Sequence, residues 1–102
     1  MVLIRVDGNH QIGTGHIMRC LSLADALREQ GREITFATAE LYFQQLIEMR
    51  GYSCTVLGTV YDRMEEELPV FLPILERERP ELVILDSYFV TPQYMEAVKR
   101  TV

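Results

Sequence analysis

The sequence predicts an α/β fold: a parallel sheet of strand order 3-2-1-4 with helices on both faces. Three observations predict it. Short β-branched runs alternate with segments of helical apolar spacing along all 102 residues. The first run leads into a glycine-rich loop that opens a helix. A later run, Leu82-Val83-Ile84-Leu85, is continuously apolar, as suits a strand covered on both faces.

The elements follow in order. Residues 2–7, from Val2 to Asp7, are β-branched and stop at Gly8, giving β1. Residues 8–15, GNHQIGTG, form the loop. From His16, the residues Ile17, Cys20, Leu21, Ala24 and Leu27 recur at helical spacing until Gly31. That is α1, with Thr14 or Gly15 near its N-cap. Residues 33–37 form β2, and 41–50 form α2, closed by Gly51. Residues 53–57 form β3. In 62–79, Asp62 and Glu65 have the spacing of a capping box. Pro69 and Pro73 disfavour one straight helix there. The expectation is a helical turn, a break, and a helix α3 through Arg79, ended by Pro80. Residues 82–86 form β4, and Thr91-Pro92 opens α4, since proline favours the first helical turn.

Right-handed crossovers place β4 beside β1. Ligands of open α/β sheets bind at such a switch point, beyond the carboxyl ends of the strands. The loops 8–15 and 86–91 meet there. No later strand covers the outer edge of β4. Residues 1–102 therefore read as a single Rossmann-like domain that is incomplete, and a homo-oligomer through the uncovered edge is expected.

Composition narrows the function. The hydrophobic share is 48% and the charged share 25%, ordinary for a globular chain. A disordered tail, a fibre and a cysteine scaffold are excluded. The net charge of −5 argues against nucleic-acid or anionic-membrane partners. Residues 62–81 hold seven acids against three arginines and read as a solvated helix face. Cys20 and Cys54 form no metal-spaced pair and read as buried apolar residues in a reducing cytosol. Arg5 and Asp7 interrupt the N-terminus, which is neither a signal peptide nor a membrane span. The expected location is cytoplasmic. The internal methionines read as packing residues, and neither a metal nor a cofactor is implied.

The chemistry gathers in Gly13-Thr14-Gly15-His16-Ile17-Met18-Arg19. Two glycines let the backbone turn sharply and approach a ligand. The free N–H groups of the helix start suit a phosphate. His16 sits in the first turn, where the helix dipole favours neutral imidazole and a base role. Arg19 projects from the same side. Met18 occupies the third-glycine position of a dinucleotide fingerprint, and no Lys-Ser/Thr follows as in a Walker loop. His10 reads as a solvated loop residue. Asp7 could orient the loop through its amides. Beyond β4, Asp86 could hold the His16 ring or a ligand hydroxyl, and Tyr88 could meet a sugar or base. Ser87 lacks a nucleophile elbow.

These residues resemble a known family. Arg5-x-Asp7, Gly13-x-Gly15-His16-x-x-Arg19-Cys20, Leu23-Ala24 and Gly31 are similar to the N-terminal domain of the PseG/SpsG family. Its members are UDP-2,4-diacetamido-2,4,6-trideoxy-β-L-altropyranose hydrolases and spore-coat polysaccharide proteins. Asp86-Ser87-Tyr88 resembles the Asp-x-Tyr after the family's fourth strand, with Ser87 where hydrolase members carry histidine. The resemblance implies the N-terminal half of a GT-B-like enzyme, with the C-terminal nucleotide-binding domain absent and the fragment alone inactive. It implies a UDP-sugar substrate, His16 as the base toward water, Gly13 and Gly15 near the phosphates, and Tyr88 near the sugar. Arg19 and Asp86 complete the expected binding residues. No metal is implied.

Two other readings stand beside the hydrolase. A GT-B-type glycosyltransferase for cell-surface polysaccharide would differ by needing an acceptor. A non-catalytic flavodoxin-like or regulator-like binding module is the third. A regulator needs an acidic pair after β1 and an Asp after β3, where this chain has Leu57-Gly58.

Overall fold

The structure, a computed structural model, describes residues 1–102. Its order is β1 (Val2–Val6), α1 (Gly15–Glu29), β2 (Ile34–Thr38), α2 (Gln44–Met49), β3 (Ser53–Val56), α3 (Met64–Glu78), β4 (Leu82–Asp86) and α4 (Pro92–Thr101). The sheet runs β3-β2-β1-β4, with every pairing parallel. The register sets Val6 opposite Asp86, so the loops after β1 and β4 leave the sheet side by side. No helix is long and apolar enough to cross a membrane.

Alternation along β1 divides the core in two. Val2, Ile4 and Val6 face α1 and α2, packing with Ile17, Leu21, Ala24 and Ile47. Leu3 faces α3 and α4, packing with Phe71, Leu75, Tyr94 and Val98. At the outer edge, β4 has a strand on one side only, and Leu82 is exposed.

Three expectations need correction. First, α3 is one helix through Pro69 and Pro73. The missing proline N–H groups would have bonded the carbonyls of Glu65 and Pro69. Residues 65, 69 and 73 share the solvent stripe, so water can satisfy those carbonyls. The helix begins at Met64 with Arg63 as N-cap, and the Asp62 capping box does not form. Second, α2 is shorter than its apolar run. Leu41 and Tyr42 lie exposed in a loop held by hydrogen bonds from Asn9 Nδ2 and Thr38 Oγ1 to Glu40. Third, only Met64 of the internal methionines is buried, while Met18, Met49 and Met95 are exposed.

The acidic segment also hides a core residue. Glu67 is fully buried. Its carboxylate receives Arg5 Nε at 2.8 Å and Arg5 Nη2 at 2.7 Å, together with the Tyr94 and Thr59 hydroxyls. Burial alone would lower the Arg5 guanidinium, but the Glu67 hydrogen bonds and the Asp7 and Glu67 charges outweigh it and keep it charged. Asp7 does not bond the 8–15 loop. Its Oδ1 accepts from Ala39 N, and its Oδ2 lies 2.9 Å from Arg5 Nη1 without hydrogen-bond alignment.

Removing one partner of a buried pair leaves the other charge uncompensated. Glu67→Ala should therefore cost about 3–5 kcal/mol in urea unfolding. Exposed Glu66→Ala, one residue away, should change stability by no more than about 0.5 kcal/mol. Equal effects at the two positions would overturn the anchor role of Glu67.

Candidate functional site

Two backbone constraints place the site. Gly8 closes β1 where a Cβ would lie 2.7 Å from Ile17 Cγ1 and 2.9 Å from Phe43 Cε2. Only glycine lets α1 come this close to the strand end. Gly13, at φ +77°, completes a small loop in which Asn9 and Gly13 exchange backbone hydrogen bonds. Asn9 Oδ1 also accepts from Gln11 N and Ile12 N. Asn9 thus does the loop-orienting work expected of Asp7, and its side-chain Asx turn was the available signal. Gly15 is the first residue of α1, and the space beside it is open. The Thr14 side chain makes no capping bond, so the first-turn amides remain free for a ligand.

The structure brings His16, Arg19, Asp86 and Tyr88 together. Asp86 Oδ1 lies 2.7 Å from His16 Nδ1 and 2.7 Å from Arg19 Nη2. Asp86 Oδ2 receives Arg19 Nη2 at 2.9 Å and Nε at 3.2 Å. Tyr88 meets the His16 ring edge-on, centroids 4.7 Å apart, and is otherwise exposed. His10 sits apart, edge-on to Tyr42.

Burial on its own would raise the Asp86 carboxyl. Hydrogen bonds from Arg19, His16 and Cys20 outweigh it and hold the group below the usual carboxylate range. Asp86 is then an acceptor only, so the hydrogen in their 2.7 Å contact lies on His16 Nδ1, and Arg19 Nη2, 3.1 Å from the same nitrogen, directs its own hydrogens to the closer Asp86 oxygens. In the neutral ring Nε2 then carries the lone pair; it makes no hydrogen bond and is not sealed from solvent. The arrangement can hold an imidazole in one tautomer with its basic nitrogen outward. Beside Tyr88, a cavity of about 460 Å³ opens between the starts of α3 and α4, walled by Asp62, Arg63, Glu65 and Phe89.

Cys20 is a member of the cluster that sequence reasoning assigned to packing. It is buried, and its Sγ donates to Asp86 Oδ2 at 3.2 Å. The signal was its spacing: His16 and Cys20 are four residues apart on one helix face. Burial, then the Asp86 hydrogen bond and charge, push the Cys20 thiol up to about 12.

No protein-family profile matches the chain, and no solved structure matches it. Among curated proteins it is similar to one from Methanosarcina acetivorans named an uncharacterized glycosyltransferase. The two are 29% identical over 98 residues, covering 76% of this chain and 26% of the relative. The chain thus spans about a quarter of the length of the curated relative it matches. The likeness supports a glycosyltransferase-like relationship.

The raised thiol links stability to alkaline pH. Unfolded, Cys20 loses its proton near its ordinary value of 9.0, whereas folded it keeps it to about 12. Its stabilising contribution is whole below about pH 9 and is lost as pH rises toward 12. Burial raises Cys54 as well, and burial with the Glu67 charge raises Tyr94, so both act in the same direction. The urea midpoint should fall from about pH 9 upward, and Cys20→Ala should make that fall shallower. An unchanged slope in Cys20→Ala would show that the thiol is not perturbed.

Proposed function

We propose that this chain is the sugar-side domain of an enzyme that cleaves a nucleotide-sugar, with His16 as general base. The observation that carries the reading is the His16–Asp86 pair beyond β1 and β4, which leaves Nε2 free at the switch point. The Gly13–Gly15 turn and the open start of α1 suit a diphosphate. The exposed Arg19 adds positive charge beside it. The exposed Tyr88 ring, set against His16, suits the face of a sugar. The substrate implied by the PseG/SpsG resemblance is a UDP-linked diacetamido-trideoxy hexose. The nucleotide is held mainly by a second, C-terminal domain.

In the hydrolase form, the water oxygen bonds to the anomeric carbon and its proton passes to His16 Nε2. The bond from that carbon to the phosphate oxygen breaks, its electron pair staying on oxygen, and UDP leaves. The first-turn amides of α1 and Arg19 stabilise the charge growing on the diphosphate. The name of the Methanosarcina relative favours a second reading. In it, an acceptor hydroxyl replaces water and gives its proton to the same nitrogen.

Removing the imidazole should cost general-base catalysis, typically ~10²–10⁴ in rate. In the intact enzyme, His16→Asn should slow UDP release by about that factor and leave UDP affinity nearly unchanged. His10→Asn should have little effect. Release in water alone identifies the hydrolase, and release only with an acceptor identifies the transferase. Near wild-type turnover in His16→Asn would sink the base assignment.

A further inference from the structure

Asp86 was expected to hold either the His16 ring or a ligand hydroxyl, and its surroundings favour the ring. An ionised carboxylate offers about four lone-pair directions. Five donor contacts from three side chains already converge on Asp86: His16 Nδ1, Arg19 Nε, Arg19 Nη2 to both oxygens, and Cys20 Sγ. While Arg19 is in place, no lone pair remains for a ligand hydroxyl. The three side chains differ in depth. The Arg19 side chain is 67% exposed, whereas Cys20 is 2% and His16 9% exposed. An incoming anion can draw Arg19 away but cannot reach the thiol.

We infer that Asp86 is a positioning residue that keeps the His16 proton on Nδ1, and that the buried Cys20 thiol holds Asp86 in the rotamer that does so. Its catalytic meaning rests on the base role proposed for His16. His16, Arg19 and Cys20 lie at i, i+3 and i+4 of one helix, so all three lean toward the same point. Asp86 is the last residue of β4, and its pairing opposite Val6 fixes its height against that helix. An imidazole freed from Asp86 can place its proton on Nε2, and that nitrogen then has no lone pair for water or an acceptor. Because burial and the neighbouring carboxylate push the thiol up to about 12, it stays a proton donor over the neutral range.

The test reads the tautomer directly, by ¹⁵N NMR of the histidine rings in the 102-residue chain. His16→Asn removes one ring's signals and so assigns them. Wild type should show the Nδ1–H tautomer. Asp86→Asn should lose it in favour of Nε2–H. Cys20→Ala should give a mixture, and Cys20→Ser, which restores a donor, should return the wild-type pattern. Arg19→Ala, at an exposed position, should leave the tautomer in place. If Asp86→Asn keeps the Nδ1–H form, the positioning role is wrong. If Cys20→Ala keeps it, or Arg19→Ala alone loses it, the thiol is not the holder. None of these readings needs turnover, so they stand or fall separately from the nucleotide-sugar proposal. In the intact enzyme, Asp86→Asn should lower kcat with KM nearly unchanged, whereas a substrate-binding Asp86 would raise KM.

Discussion

An arginine in the middle of an inner strand sets the terms for the rest of the fold. β1 has neighbours on both edges, and the side chain of its Arg5 is fully buried. Taking such a charge out of water costs several kcal/mol unless a partner meets it. Glu67 meets it from the first turns of α3, and Tyr94 of α4 donates to the same carboxylate. The seating of both helices on the sheet is therefore set by one ion pair as well as by apolar packing. The loops leading into α3 and α4 border the crevice. One wall of the candidate site is thus placed by a contact that lies outside it.

The other wall depends on how closely α1 approaches β1. Gly8 permits that approach, and the Asn9–Gly13 loop then starts the helix so that residues 16, 19 and 20 lean over the end of β4. Parallel pairing with β1 brings Asp86 up to meet them. Four side chains from two distant stretches of sequence converge because backbone register and one missing Cβ leave them little freedom. A hydrogen-bonded group of this kind in a partly buried setting has its orientation determined before any ligand arrives.

The topology was readable because every crossover obeys one handedness and each strand is marked by β-branched residues. That topology also set the loop that leads into His16 beside the one that follows Asp86. What escaped had a physical reason in each case. Glu67 stands among acids that are mostly solvated, and sequence alone does not show that Arg5, 62 residues earlier, needs it. Pro69 and Pro73 break helices as a rule, but here both fall on one wet stripe where the freed carbonyls find water. Leu41 and Tyr42 carry apolar side chains with no core face to receive them. Cys20 looked like packing because burial and hydrogen bonding are separate questions, and spacing answers only the first.

The different depths of the partners around Asp86 make the site respond unevenly to ionic strength. Arg19 reaches the carboxylate from solvent, where mobile ions screen a contact within roughly a Debye length, about 8 Å at physiological salt. His16 and Cys20 reach it from the protein side, where screening ions do not enter. Raising the salt therefore loosens the outer contact and leaves the inner pair as it was. The guanidinium becomes freer to exchange partners while the imidazole keeps its orientation. An anion competing with Asp86 for Arg19 would therefore feel the salt, whereas the His16–Asp86 contact would not.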